Sequence, residues 1–216
     1  MFLKECKMNK LGNYLVASIV IITLLLCFLS QIQGIGKKDK VFSIPVSESE
    51  NAKIQSGDII LREGKSFISQ AFRNFSTIDK HYSHAGVAYI LQGKMYVCHV
   101  VAAEGNKSDK IRLEPLESFC NPVENSSWAV YRTDIKKEQI DQALLHYFNN
   151  KISFDLNFDL KSDDKMYCTE LVYKIMTTAN HNKKFINLSH GNGMDYVACD
   201  NLYLNTKTHL ILLHAN

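Results

Sequence analysis

The 216 residues are 46% hydrophobic and 22% charged. That is enough apolar material to bury the core of one domain, and too much for a disordered chain. The formal net charge is only +3, and the lysines are scattered instead of striped, which excludes a nucleic-acid-binding protein.

In chain order, Lys4, Lys7 and Lys10 precede a largely apolar run from Tyr14 to Leu29, followed by Ser30, Gln31, Gly34 and Gly36. A basic start, a short apolar stretch and a small-residue exit read as a secretory signal over 1–34. The run is short of the roughly 20 residues of a comfortable span, and the exit lacks an A-x-A site. Retention as an N-terminal membrane anchor is the alternative. Leu26 before Cys27 is too bulky for a lipoprotein site. Either way, the rest of the chain is expected to be exported to the periplasm or cell envelope. Residues 35–55 read as a linker or wrapping arm, and 56–216 as the globular domain.

Ser56-Gly57-Asp58 is a turn signal, and Ile59 to Leu61 follow as a short buried strand. Apolar positions from Phe67 to Phe75 suit a short helix within 65–78. Strands from Ser83 and from Lys94 are joined at Gln92-Gly93, a tight hairpin turn. A short strand before a turn at Pro115, another strand over 128–132 and an amphipathic helix over 136–150 come next. A helix from about Asp164 to Ala179 follows, with Asp163 and Asp164 as its caps. Apolar clusters close the chain at Tyr203-Leu204 and Leu210 to Leu213. Strands and helices are mixed without strict alternation, so the fold class is α+β.

The cysteines outside the leader are Cys98, Cys120, Cys168 and Cys199, with no metal-ribbon spacing among them. In an oxidising compartment two of these could pair; the spacing does not say which. Cys168 stands in the first turns of the last helix, on the face of Leu171 and Val172. A helix N-terminus carries about half a positive charge and unpaired N–H groups, which favour a thiolate and can hold an oxyanion. The bland alternative is a small buried core residue. A base is available in His84: a two-residue turn at 92–93 pairs position 84 with 101 and 86 with 99. His99 then lies on the same face as His84, one diagonal step away, placed to orient its ring. A one-residue slip would bring Glu104 in instead. Each histidine alone could equally be structural. A zinc site from His81, His84 and His99 is disfavoured, because His81 and His84 point to opposite strand faces. No metal or other cofactor is expected.

SGDIIL (56–61), YSHAGVAYI (82–90), YVCHV (96–100), PLESF (115–119), AVYR (129–132), SFDLNFD (153–159) and YCTELVYK (167–174) together resemble the YiiX/YaeF-like branch of the NlpC-type cysteine peptidases. The resemblance implies a circularly permuted papain-like fold, with histidine before cysteine in the chain. It places the nucleophile at Cys168, the base at His84 and the third polar residue at His99, where relatives often carry Glu. Asp58, Tyr167 and Glu170 fall on positions expected to contact substrate. The implied activity is hydrolysis of an amide bond in a peptide or acyl-amide substrate, with cell-wall peptides one candidate. A thiol acyltransferase or lipid-amide hydrolase is the alternative within the same chemistry, and a non-catalytic envelope peptide-binding module the alternative outside it. Oligomeric state is not legible.

Overall fold

The computed structural model describes residues 46–102, 110–150, 152–191 and 193–215. The expected leader, most of the expected linker and the reserve residue Glu104 lie outside them. Among the described residues, no helix is long and apolar enough to cross a membrane.

The elements run α1 (Glu48–Asn51), β1 (Ile59–Gly64), α2 (Phe67–Arg73), β2 (His84–Leu91), β3 (Lys94–Val100), β4 (Ile111–Pro115), α3 (Leu116–Phe119) and β5 (Asn125–Thr133). They continue α4 (Lys137–Asn149), β6 (Ser153–Phe154), β7 (Lys165–Met166), α5 (Cys168–Ala179), β8 (Ser189–Gly191), β9 (Met194–Tyr196), α6 (Cys199–Tyr203) and β10 (Thr208–Ala215). One six-stranded antiparallel sheet, in the order β10-β5-β1-β2-β3-β4, organises the α+β fold.

Alternation along the strands divides the core. Ile59, Leu61, Ala85, Val87, Cys98 and Val100 face α4 and α5 and pack with Leu144, Leu171, Val172 and Ile175. Ile60, Ala88, Val97, Trp128 and Val130 face the other way, onto Phe119, Leu116 and Ile54. Ile54 is buried and Glu50 Oε1 lies 2.6 Å from His214 Nδ1, so the described end of the 35–55 segment wraps onto the globular unit.

The β2–β3 turn is as the sequence reads: Gln92 and Gly93 both take positive φ, 51° and 75°, the signature of a two-residue hairpin loop. The register Val87↔Cys98 follows from it.

One expectation changes, and one apolar cluster gains an element. The helix expected from Asp164 starts at Cys168, as α5, with Tyr167 as its N-cap. The cause is tertiary: Ser153 N–H donates to Asp164 O and Asp155 N–H to Met166 O, which holds 165–166 as a strand against β6. The tail cluster at Leu210 to Leu213 belongs to an edge strand, β10, paired to β5.

Candidate active site

The late start of α5 makes Cys168 its first helical residue. Glu170 Oε2 accepts the Tyr167 N–H at 3.2 Å and fixes this first turn. The ladder between β2 and β3 is paired only as far as Val87↔Cys98, although β3 continues to Val100. Beyond the last pair, the Ala85 N–H is directed at the Cys168 sulfur, as are the N–H groups of Thr169 and of Cys168 itself. The sulfur therefore sits at the open fork between the two strands, one peptide bond from His84.

His84 opens β2 and is half-buried. Strand parity puts its ring on the Phe119 face, 5.6 Å from that ring between centroids, whereas α5 covers the opposite face. Cys168 and His84 both line one cavity of about 920 Å³.

His84 Nε2 lies 2.9 Å from His99 Nδ1. His99 is fully buried, and its Nε2 lies 3.0 Å from Glu114 Oε2 and 3.4 Å from Arg112 Nε. The shorter, charge-complementary contact favours the tautomer with the Nε2 proton of His99 toward the carboxylate, although its angle leaves Glu114 Oε2 short of a hydrogen bond. His99 Nδ1 then accepts from His84 Nε2–H, which leaves Nδ1 of His84 as the free basic nitrogen. Gly86 makes the arrangement possible. A Cβ there would stand 2.4 Å from Val97 Cγ1, 2.9 Å from Cys98 O and 3.2 Å from His99 Cβ.

Burial dominates the electrostatics. It raises the Cys168 thiol above its usual 9.0, against the pull of the three N–H groups and the Arg62 charge. Burial, helped by Arg62, His99 and Arg112, lowers His84 well below 6.5. The resting pair is thus a neutral thiol and a neutral imidazole. The N–H groups at the helix start offset part of the rise in the thiol's pKa without overcoming desolvation, contrary to what the helix position alone suggests.

Among the other expected site residues, Tyr167 lines the cavity and its hydroxyl accepts the Val197 N–H at 2.8 Å. Glu170 is fully buried, beside Lys174 Nζ at 3.0 Å. Asp58, 1% exposed, spends both carboxylate oxygens on Arg132 and on the Gln55 N–H. Neither of these two carboxylates lines the cavity. Cys98, Cys120, Cys168 and Cys199 are all free thiols. Sequence reasoning missed Glu114 and Arg62. Their signal is alternation: each occupies the Phe119 face of its strand, opposite or next to a histidine.

The profile of the permuted papain-like amidase enzymes, YaeF/YiiX, C92 family, matches residues 53–190. The chain belongs to this family. Its members are papain-like cysteine amidases or peptidases. The uncharacterized protein YiiX of Escherichia coli strain K12 is 27% identical over 130 residues, 58% of each chain, so this chain spans under two thirds of that relative's length. The crystal structure of a protein titled metalloprotein yiiX, from Escherichia coli O157:H7, shares the fold. Its TM-score is 0.60 at 19% identity, covering 74% of this chain and 97% of that one.

That title calls its protein a metalloprotein; no matching donor set is found among the described residues of this chain. Among the described residues no three His, Cys, Asp or Glu side chains are grouped to hold an ion. His84 and His99 are bonded to each other, and His81 Nε2 lies 2.9 Å from Ser127 Oγ.

Proposed function

We propose that this family member hydrolyses amides with an apolar acyl part, using Cys168 as nucleophile, His84 as base and His99, backed by Glu114, as orienter. The observation that carries the reading is the His84 Nε2 to His99 Nδ1 contact of 2.9 Å, which turns the other nitrogen of His84 into the available base beside the strand fork that holds the thiol.

In acylation, the thiol proton passes to His84 Nδ1 as the S–C bond forms. The N–H groups now directed at the sulfur, those of Ala85, Thr169 and Cys168, are candidates to hold the oxyanion. His84 then gives its proton to the amine nitrogen as the C–N bond breaks. In deacylation it takes a proton from water, whose oxygen displaces the sulfur. No step is routed through a metal.

The acyl side is argued from the cavity wall. Phe72, Phe75, Phe158 and Tyr167 line it in a continuous chain, with ring centroids 5.3–6.0 Å apart. A wall of this kind suits a hydrocarbon chain better than a cell-wall peptide. The leader-like residues 1–34 support export to the cell envelope, where both substrate types occur.

The test is mass spectrometry of a panel of N-acyl amides and cell-wall fragments, incubated with the protein and with Cys168→Ala. Release of fatty acid only by the unsubstituted protein supports the reading. Cleavage confined to peptides moves the substrate to the cell wall, and cleavage by both proteins removes Cys168 from the mechanism.

A further inference from the structure

The cavity has a second arm, opposite in character to the aromatic wall. Arg62 pairs in register with His84 across β1–β2, and Arg112 with His99 across β3–β4. Cross-strand partners share a sheet face, so two guanidinium groups bracket the two imidazoles. Both line the cavity.

Arginines sheltered from water normally find a carboxylate. Arg73 has Glu63, and Arg132 has Asp58. Arg62 and Arg112 have no such ion pair among the described residues. Arg62 donates Nη1–H to Phe119 O at 3.0 Å and lies over the Phe119 ring, 4.5 Å from its centroid. Arg112 Nε lies 3.4 Å from His99 Nε2. Most of the five N–H donors of each guanidinium are left for something else. Lys65 adds a third cation to the lining, and Glu114 and Glu124 are the carboxylates there. Glu114 is engaged with His99; its charge and that of Glu124 act on Arg62 at longer range, but neither forms an ion pair with either arginine among the described residues.

We propose that this arm binds an anionic group on the amine half of the substrate, with Arg62 and Arg112 as its ligands. The inference rests on the catalytic assignment above for its orientation, acyl chain on the aromatic side and amine on the arginine side. Because Arg62 stands opposite His84, the anion lies only a few bonds from the scissile nitrogen. Two substrate classes share that chemistry: N-acyl amino acids, with a carboxylate, and N-acyl amino-alcohol phosphates.

The test is equilibrium binding to Cys168→Ala by calorimetry, which needs no turnover. The probes are N-dodecanoylglycine, its neutral isostere N-dodecanoylglycinamide, and N-dodecanoylethanolamine phosphate. The anionic probes are expected to bind at least about tenfold more tightly than the neutral one, and this preference to shrink as salt is raised. Which anion binds better assigns carboxylate or phosphate. Arg112→Gln and Arg62→Gln should each reduce the preference, and Arg112→Lys, which keeps the charge, should retain most of it. Circular dichroism establishes that each variant is folded. Equal binding of neutral and anionic probes, or a preference that survives both glutamine substitutions, overturns the proposal and leaves amide hydrolysis untouched. Anion-selective binding by a protein that cleaves no amide upholds the arginine site and removes the catalytic reading instead.

Discussion

Two charged clusters hang from the first sheet strand, and they are built in opposite ways. At the start of β1, Asp58 Oδ1 accepts from Arg132 Nε at 2.7 Å and Oδ2 from Arg132 Nη2 at 2.8 Å, while Lys53 O takes a further bond from Nη2. Every strong group there has a partner, and the cluster is closed. Four residues on, Arg62 forms no ion pair among the described residues, feels Glu114 and Glu124 only at longer range, and with His84, Arg112 and Glu114 opens into the cavity. A buried charge that is fully satisfied holds the fold together. A buried charge left open onto a cavity stays available to a ligand.

Breaking the closed cluster should cost stability and leave chemistry intact. Asp58→Ala strands the Arg132 charge and is expected to destabilise the fold by about 3 kcal/mol, the lower end of the range for buried pairs, since Arg132 is partly exposed. Urea denaturation checks the loss, and kcat/KM per folded molecule should be unchanged. An activity loss beyond the unfolded fraction would give Asp58 a place in the site after all.

Breaking the open cluster should do the reverse. Glu114→Gln presents an amide N–H to His99 Nε2, which favours the tautomer that puts the proton on the wrong nitrogen of His84. A kcat loss of about 10–100-fold with little change in melting temperature is expected, as for other orienting partners. Glu114 acts as a positioning residue, so Glu114→Asp should recover much of the rate.

A smaller effect sharpens the contrast through pH. A base lowered well below 6.5 and a thiol raised above 9.0 are both in their working forms across neutral pH. kcat/KM should therefore lose its acid limb only below 6.5 and hold level to at least 9.0. Alkylation of Cys168 by iodoacetamide needs the thiolate, so its rate should still be rising past 9.0. A plateau in alkylation near neutral pH would mean a resting thiolate–imidazolium pair.

What the sequence could show followed from periodicity and local chemistry. The Gln92-Gly93 turn set the hairpin register, and the register set the facing of His84 and His99. Tertiary pairing was not legible. The capping residues Asp163 and Asp164 have the right chemistry for a helix start, but β6 claims their neighbours as a strand. Glu170 and Asp58 sit in familiar motifs yet turn their carboxylates to Lys174 and Arg132 instead of the cavity. Alternation gives the face of Glu114, but its pairing with His99 depends on β3–β4 register, across an intervening segment whose length carries no pairing signal.

The central claim is that Cys168 and His84 act on one carbonyl, and trapping the acyl-enzyme tests it most directly. With a dodecanoyl p-nitroanilide substrate and an acid quench, intact-mass spectrometry should show one dodecanoyl adduct, mapped by peptide digestion to Cys168 and absent in His84→Ala. An adduct on Cys199 or Cys120, or an adduct on Cys168 that forms equally fast without His84, would contradict the account.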